Sequence, residues 1–470
     1  MSAAASPVVV VGGSVASLVA ADALAAAGRS VELHLPESGV GGGFTPITLS
    51  GRRLELGARL IELSYDVEPG VAPPLSSYRP GPHGHRPFLA LIDAFVRDLA
   101  GGDLVELSAP QASVSGRRMT DYVLTGDLSG LADAVDPDLR SAMAAEAKAC
   151  VDAIGPHGLY ARNRSDELWR LRYSEAGKAH TGVAFHELLI APVAAKILPG
   201  GANSVVGALH RKIWMPLFHP VTAWEACAGA LTYRPARPLW SVQNGGMGEI
   251  VLRLVERVEA SPAVTIHRSG PLTGIRSAGG DDIELDFADG SRRRAERPIV
   301  GVGAGELFAA AGIDLPAERV PATMLWVDVA EDDVVDLPSV LCSAEPDGPL
   351  YLVTESLVDR RPGYRTMCCE MDHRRDEPDD WLRLTTEALT DLGVVRPGAA
   401  VERVAAASRP AFVAPSPENR AAFGAAREAY DLQRLPAVVV AGASSFGVDT
   451  FNEQVIQGLA AAERVSLPTR

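Results

Sequence analysis

A turn rich in glycine and serine, from Gly12 to Ser17, follows an apolar segment that begins at Val8. Glycines at such a turn let the backbone approach a pyrophosphate, whose oxygens accept hydrogen bonds from the first amides of the next helix. Two glycine positions of this pattern carry serine here, at Ser14 and Ser17. An apolar residue, Leu35, stands where an acid would accept the ribose hydroxyls. The segment therefore predicts a nucleotide-binding turn with altered ligand contacts.

The positions that pack such a unit, in contrast, carry the expected residue types. A small residue, an apolar residue, a helix-ending glycine and an apolar pair follow the turn at the expected spacing: Ala21, Leu24, Gly28, Val31 and Leu33. The segment from Val8 to Leu35 is therefore predicted to form a strand, a helix and a second strand of a Rossmann-type domain.

Three further segments extend this pattern. A glycine loop, Gly41 to Gly43, follows the second strand, and a Gly246-Met247-Gly248 turn precedes a predicted helix. A predicted strand ends at Gly442, before a helix that begins near Asn452. Together with the N-terminal unit, these segments resemble the superfamily of flavin-containing amine oxidases, protoporphyrinogen oxidases and phytoene desaturases. In that superfamily the first motif binds the FAD pyrophosphate, the glycine loop lines the site, and the last helix points its N-terminus at the flavin ring.

The resemblance implies FAD as the cofactor and assigns a set of residues to it. These are Gly12, Gly13, Ser14, Val15, Ala16, Ser17, Leu35, Glu37, Gly41, Gly42, Gly43, Gly442, Ala443, Asn452 and Val455. Gly43 stands where the superfamily often has a basic residue, and Ala443 replaces an acid. Glu37 could supply part of the acceptor that Leu35 lacks. Two interpretations follow: FAD is bound through altered, weaker contacts, or the scaffold has lost the cofactor.

Composition limits the class of protein. The chain has 470 residues, more than one ordinary core accommodates, so two domains are expected. A formal net charge of -15 opposes binding to nucleic acid or an anionic membrane surface, and no apolar run is long enough for a membrane span. The five cysteines show no metal-ligand spacing, so no metal site is predicted. We expect a cytoplasmic protein with reduced cysteines and a small-molecule substrate; its oligomeric state cannot be inferred.

The predicted fold class is α/β, with a discontinuous, Rossmann-like FAD-type domain and an inserted, mixed α+β substrate domain. The nucleotide-binding domain comprises residues 1–66, 241–318 and 431–470. The substrate domain comprises residues 67–240, which are predicted to be mainly helical, and residues 319–430. Arg53 to Leu60 is predicted to be a strand, and the Pro-rich stretch from Glu68 to Pro87 a mobile surface loop at the pocket entrance.

Two aromatic residues and a histidine, Trp214, Phe218 and His219, lie next to the basic pair Arg211-Lys212. They could line a substrate pocket, although Trp and Phe four residues apart are more often core, and a histidine between Phe and Pro is more often structural. Amine oxidases of the superfamily commonly place a lysine late in the chain near the flavin, but no lysine follows Lys212. This departure argues against amine oxidation. The catalytic residues cannot be named from the sequence.

These observations predict an FAD-dependent oxidoreductase of oxidase or desaturase type that acts on a small, largely apolar metabolite. An alternative is a non-redox cyclase or isomerase on the same fold, in which the flavin is lost or only structural. A third possibility is a binding protein with a decayed site. The visible spectrum of the purified protein would separate the flavoprotein from the other two.

Overall fold

The structure is a computed structural model, and it describes residues 6–63, 73–81, 84–161, 164–232, 238–374, 378–447 and 449–466. Its strands, in chain order, are β1 (Val8–Val11), β2 (Val31–Leu35), β3 (Ile47–Leu49), β4 (Arg52–Leu54), β5 (Ile61–Glu62), β6 (Leu104–Glu106), β7 (Gln111–Val114), β8 (Arg117–Thr120), β9 (Leu239–Val242), β10 (Val264–Arg268), β11 (Leu272–Gly279), β12 (Asp282–Phe287), β13 (Arg292–Glu296), β14 (Ile299–Val300), β15 (Arg319–Ala330), β16 (Val340–Ser343), β17 (Leu350–Ser356), β18 (Tyr364–Met371), β19 (Val401–Val413) and β20 (Val438–Val439).

The α-helices, in chain order, are α1 (Val15–Ala26), α2 (Leu89–Ala100), α3 (Leu131–Ala134), α4 (Pro137–Ile154), α5 (Tyr173–Thr181), α6 (Val183–Phe185), α7 (Ala191–Ile197), α8 (Pro220–Ala228), α9 (Gly248–Ala260), α10 (Ala304–Ala310), α11 (Trp381–Asp391), α12 (Pro417–Leu432) and α13 (Phe451–Ser466). Within the described ranges, no helix is both long and apolar enough to cross a membrane.

A five-stranded parallel sheet forms the first layer, in the order β10-β2-β1-β14-β20. All four valines of β1 are buried, as expected for a central strand covered on both faces. Helices α1, α9 and α13 contribute to the apolar core on one face, and the small sheet β11-β12-β13 contributes with α10 and α12 to the core on the other. The Rossmann-type unit predicted for the N-terminal segment is confirmed, since β1, α1 and β2 lie where the sequence pattern placed them.

A seven-stranded sheet, β19-β15-β18-β17-β16-β7-β8, forms the second layer. Its strands come from two distant parts of the chain, because β16 pairs in parallel with β7. One apolar cluster packs helices α4 to α8 with residues of this sheet, and α11 belongs to another cluster with β15 and β18. The chain is therefore a mixed α/β protein with parallel and antiparallel sheets. The division into a nucleotide domain and an inserted substrate domain stays a prediction.

Three expectations about individual segments need correction or restriction. The strand predicted for Arg53 to Leu60 is wrong beyond Leu54, where β4 ends and the chain turns through Gly57 at a φ of 72°. The region predicted to be mainly helical, residues 67–240, also contains β6, β7, β8 and β9, whose short runs lack a helical period.

The Pro-rich stretch, Glu68 to Pro87, falls partly outside the described residues, at positions 68–72 and 82–83. Its described part is bonded to α13: the Tyr78 hydroxyl donates to Glu453 Oε2 at 2.6 Å, and the backbone N–H of His85 donates to Glu453 Oε1 at 2.9 Å. Tyr78 is buried. The described part lies largely at the surface and contains only short 3-10 turns, as predicted, and its bonds to Glu453 attach it to α13; its mobility and its place at a pocket entrance stay predictions.

Candidate functional site

The turn between β1 and α1 has the backbone geometry of a nucleotide-binding turn. Gly12 has a φ of 104°, and a Cβ atom there would lie 2.4 Å from the carbonyl oxygen of Gly301, so only glycine fits. Ser14 precedes α1, and its hydroxyl accepts the backbone N–H of Ser17 at 3.2 Å. The Ser17 hydroxyl donates to the carbonyl oxygen of Val11 at 3.2 Å. The two serines therefore serve the turn itself.

Protein atoms cover the first residues of α1, whereas Gly13 and Ser14, directly before the helix, stay partly exposed. Gln454, on α13, accepts the backbone N–H of Ala16 through its Oε1 atom at 3.4 Å. Val15, Ala16 and Ser17 have no exposed surface. Gly458 lies so close to α1 that a Cβ atom on it would be 2.5 Å from the carbonyl oxygen of Ala16. A pyrophosphate oxygen bonded to the Ala16 amide would have to replace Gln454 Oε1.

The glycine loop after β2 also closes onto the turn. Gly41 donates its backbone N–H to the carbonyl oxygen of Gly13 at 2.6 Å, and Gly42 and Gly43 lie in a short 3-10 helix that ends at Phe44. Leu35 is 1% exposed and packs in the apolar core beneath α1, whereas Glu37 is exposed. Leu35 therefore offers no acceptor to a ribose hydroxyl, and the acceptor role of Glu37 stays a prediction.

The segment before α13 follows the same pattern of internal contacts. Gly442 and Ala443 lie in a 3-10 turn, and Ala441, which begins it, has a φ of 60°. Gln457 Oε1 accepts the backbone N–H of Ala441. The side chain of Asn452 donates to the carbonyl oxygen of Glu62 at 2.9 Å, and Val455 is buried.

These contacts test whether the predicted residues fit FAD. The structure brings Gly12 to Ser17, the Gly41 loop and α13 together, as the resemblance implied. However, the amides of Ala16 and Ala441 are bonded to glutamine side chains, and Leu35 offers no acceptor for a ribose. The residues present therefore do not fit a dinucleotide in the position that the resemblance implied, and the FAD assignment stays a prediction that this geometry opposes.

A cavity of about 220 Å³ lies elsewhere, between the sheet β5-β9-β6 and the seven-stranded sheet. The chain between β4 and β5 forms one wall, and β6, β9, β17 and β18 contribute the others. The lining combines apolar residues, among them Leu60, Val105, Leu107 and Leu357, with polar and charged residues, which are Glu55, Arg59, Glu106, Ser108, Ser241, Gln243, Ser339, Thr354, Glu355, Ser356 and Arg360. A second cavity, of about 320 Å³, lies between the Pro-rich stretch and α13 and is lined by Tyr78, Arg79 and Glu463, among others.

Glu55 is the buried carboxyl group of the first cavity, with 6% of its surface exposed. Its Oε1 atom accepts the backbone N–H of Met247 at 2.9 Å, immediately before α9. Burial raises the pKa of Glu55 to about 7, while the amides of Gly248, Met247 and Leu357 and the charge of Arg59 oppose this rise. A carboxyl group with this pKa can both take and give a proton near neutral pH.

A second buried acid, Glu370, lies behind the same wall. It accepts the backbone N–H of Ala58 at 3.1 Å and the hydroxyl of Tyr351. Burial raises the pKa of Glu370 above its ordinary value, and the Arg59 charge opposes the rise. A Cβ atom on Gly57 would lie 2.5 Å from Glu370 Oε1, so glycine is required where this wall passes the acid.

Arg59 completes the charged group. Its Nε donates to the carbonyl oxygen of Gly43 at 2.7 Å, and Nη1 donates to the carbonyl oxygen of Ala58 at 3.3 Å. A guanidinium carries five N–H donors, and these two bonds use two of them. Arg59 also lines the cavity, so it can offer donors to a bound oxygen.

Two serines of the cavity wall, Ser339 and Ser356, have buried hydroxyl groups. Ser339 and Ser356 are buried, and in the part of the chain that the structure describes neither hydroxyl has a hydrogen-bond partner. Buried polar atoms are nearly always bonded, and both hydroxyl oxygens are shielded from solvent, so a polar ligand in the cavity could bond them after their side chains rotate toward it.

The three predicted substrate residues lie apart from both cavities. Phe218 is buried in the helical core against Phe185, with ring centroids 5.6 Å apart. Trp214 is 38% exposed and His219 is exposed at the start of α8. Their pocket role stays a prediction, and none of them is among the residues that line the two cavities.

Sequence reasoning did not single out Glu55, Glu370 or Gln454. Glu55 lies within the predicted strand Arg53 to Leu60, and the only local signal is the glycine two residues after this acid, Gly57. Glu370 and Gln454 follow no motif, and only the packing reveals their contacts.

Comparisons with known proteins agree on the fold. No protein-family model matches the sequence, and no curated protein is significantly similar to it. A crystal structure of reduced UDP-galactopyranose mutase aligns with a TM-score of 0.70 at 13% identity, over 98% of this chain and 93% of that one. Putrescine oxidase aligns with a TM-score of 0.58 at 16% identity, over 98% of both chains. A fatty acid isomerase from P. acnes that produces CLA aligns with a TM-score of 0.56 at 15% identity, over 99% of both chains.

Proposed function

We propose that this chain, which has the fold of the FAD-dependent amine oxidase-like superfamily, is an enzyme that isomerises a small hydroxylated molecule by proton transfer in the cavity beside Glu55. The similarity in fold supports the enzyme class in general terms. The observation that carries the specific proposal is a buried carboxyl group with a pKa of about 7 that lines a cavity together with two unpartnered hydroxyls.

Glu55 would be the proton-transfer group. Its carboxylate removes a proton from a carbon or oxygen of the substrate, the bonding electrons shift within the substrate, and the same carboxyl returns the proton to a neighbouring atom. No electron leaves the substrate, so the reaction requires no oxidant or reductant. The three backbone amides that donate to Glu55 hold the carboxyl in place during both steps.

Arg59 would stabilise the negative charge that develops on a substrate oxygen when the proton leaves. A positioned cation in a site shielded from water acts strongly on such a charge. After rotation toward the cavity, the hydroxyls of Ser339 and Ser356 would donate to or accept from substrate hydroxyls, which gives both groups the partner they lack among the described residues. The lining of this cavity favours a polar substrate over the largely apolar one expected from the sequence.

The enzymes in two of the similar structures favour a reaction without net oxidation. One is a mutase and one is an isomerase, and both names describe rearrangements. At 13% and 15% identity the likeness itself concerns the fold, so the names serve only to show that the fold accommodates such enzymes.

A second candidate is FAD-dependent oxidation or desaturation, as predicted from the sequence motifs. The likeness to putrescine oxidase favours it. The bond between the Ala16 amide and Gln454 at the start of α1 opposes it, so we place it second.

The proposal is tested in D₂O with a panel of free sugars, sugar acids and nucleotide sugars. Proton NMR follows the loss of a carbon-bound proton signal and the appearance of an isomer. Glu55→Gln should lower the rate about 100-fold or more, because general acid–base groups contribute factors of this size. Glu306→Gln is the matched control, since Glu306 is a partly buried acid whose Oε1 accepts the backbone N–H of Leu272 at 2.8 Å away from the cavity.

Two outcomes would contradict the proposal. One is an isomer formed at the wild-type rate by Glu55→Gln. The other is a flavin spectrum together with reduction of an added electron acceptor in the presence of substrate, which would favour the second candidate.

A further inference from the structure

We infer that Gln454 and Gln457 are internal replacements for a dinucleotide: their side-chain oxygens occupy the hydrogen-bonding positions on α1 and on the turn before α13, so the chain is complete without FAD. The inference rests on the contacts of α13 and is independent of the reaction in the Glu55 cavity.

The first contact lies at the start of α1. A helix N-terminus presents amides without intrahelical partners and carries a positive partial charge, so it binds the oxygens of phosphates. Here the oxygen that approaches the Ala16 amide belongs to Gln454, at 3.4 Å. The other end of the same side chain is held as well, because Gln454 Nε2 donates to the carbonyl oxygen of Asp449 at 3.2 Å. Gln454 is 8% exposed, which leaves little room for rearrangement.

The second contact lies one turn further along α13. Gln457 Oε1 accepts the backbone N–H of Ala441 and the Ser444 hydroxyl, the latter at 3.3 Å. Ala441 has a φ of 60°, which is unfavourable for any residue with a Cβ atom, so this bond stabilises a strained turn. Gln457 is 3% exposed.

The surroundings remove the remaining space. Gly458 lets α13 touch the backbone of α1, since a Cβ atom there would lie 2.5 Å from the Ala16 oxygen. Leu35, at the position of the expected ribose acceptor, is packed in the apolar core with α1 and α13. Four independent positions therefore favour a closed helix pair over a ligand cleft.

The first experiment measures flavin in the full-length wild-type protein. Absorbance and chromatography of the heat-released supernatant should detect no flavin, and FAD at millimolar concentration should leave the thermal midpoint unchanged. Stoichiometric flavin, or a midpoint raised by FAD, would overturn the inference. This readout needs no variant.

The second experiment removes the internal contacts. Gln454→Ala and Gln457→Ala should each lower the thermal midpoint by about 2 °C or more, because a buried amide then loses its acceptor. Gln454→Leu keeps most of the volume without the acceptor and should also lower it. Gln433→Ala is the control, since that glutamine bonds the carbonyl oxygen of Ala311 at the surface and should change the midpoint little. Midpoints of the α13 variants equal to that of Gln433→Ala would show that the two glutamines do not hold the helix pair.

The two proposals fail separately. Stoichiometric flavin in the wild type would overturn the internal replacement and leave the Glu55 cavity open to the second candidate. A flavin-free protein with no response to Glu55→Gln would overturn only the proposed function.

Discussion

Glu55 Oε1 accepts the backbone N–H of Met247 at 2.9 Å, across 192 positions of sequence. The contact joins the wall of the proposed active site to the start of α9, where unpaired amides and the helix dipole favour negative charge. Desolvation opposes that charge more strongly, so the pKa of this carboxyl lies near 7 and not below its ordinary value. Glu55 therefore connects the cavity wall to the start of α9, and its carboxyl group can gain or lose a proton near neutral pH.

The first prediction concerns the pH dependence of stability. Burial raises the pKa of Glu55 from 4.5 to about 7, so between these values the folded chain holds a proton that the unfolded chain has released. The contribution of Glu55 to the free energy of unfolding must then fall as pH rises through this window, while buried histidines with lowered pKa values, such as His180 and His210, contribute in the opposite direction. The contribution of Glu55 is on the order of 3 kcal/mol, from about 1.4 kcal/mol for each pKa unit.

Denaturant unfolding at about pH 5 and about pH 7 measures this effect. The change in the free energy of unfolding from about pH 5 to about pH 7 should be more positive for Glu55→Gln than for the wild type, while Glu37→Gln, at an exposed position, should match the wild type. An equal change in Glu55→Gln and wild type would show that Glu55 ionises normally in the folded protein.

The second prediction concerns Leu35→Glu. The motif alone suggests that an acid here would restore a ribose acceptor and tighten FAD binding. Because Leu35 is 1% exposed within the apolar core, we instead expect a loss of several kcal/mol of stability and no gain in FAD affinity. Thermal unfolding and FAD titration on the same preparation measure both effects, and Leu35→Met controls for the change of shape. A folded Leu35→Glu protein that binds FAD more tightly than the wild type would contradict the closed helix pair.

The third prediction separates Phe218 from Trp214. Phe218→Ala should cost about 3 to 5 kcal/mol, as for a large buried side chain, and lower the thermal midpoint before any loss of specific activity. Trp214→Ala should cost less, because the indole is 38% exposed. If either variant kept the wild-type thermal midpoint but lost turnover, this would support the substrate role that the spacing of the two aromatic residues suggests.

The fourth prediction concerns the orphan hydroxyl of Ser356. Ser356→Ala removes a buried group without a partner among the described residues, so stability should stay unchanged or rise slightly. The substrate should bind more weakly, and KM should rise by about 5- to 10-fold, as for one lost hydrogen bond. Thr366→Ala is a contrasting variant, since the Thr366 hydroxyl donates to Asp328 at 2.6 Å and its loss should lower the midpoint. A strongly destabilised Ser356→Ala would mean that its hydroxyl is bonded in the protein.

The elements of the parallel sheet could be predicted from the sequence because their signals are local. Four buried valines, a helix of small residues and glycines at turns specify β1, α1 and β2 without reference to the rest of the chain. The same local signals predicted α9 from the Gly246-Met247-Gly248 turn.

The candidate site could not be predicted, because its contacts join residues that share no local pattern. Glu370 on β18 reaches the amide of Ala58, and Gln454 on α13 reaches that of Ala16. The motif at Gly12 predicts the backbone of a nucleotide-binding turn and is correct about it. The amide of Ala16 after this turn is bonded to Gln454 on α13, and a glutamine inside an amphipathic helix gives no sequence signal that it bonds a distant amide.

The bond from Ala16 to Gln454 spans 438 positions, and this separation has a consequence for synthesis of the protein. A ribosome adds residues from the N-terminus onward, and early segments begin to fold while later ones are still absent. The start of α1 therefore emerges long before the helix that satisfies its amide and covers its apolar face. During translation this surface must stay exposed or be shielded by a chaperone, and native packing of the first β1-α1 unit is among the last events. We expect nascent chains that end before α13 to be aggregation-prone and sensitive to protease, even though they contain all five strands of the parallel sheet.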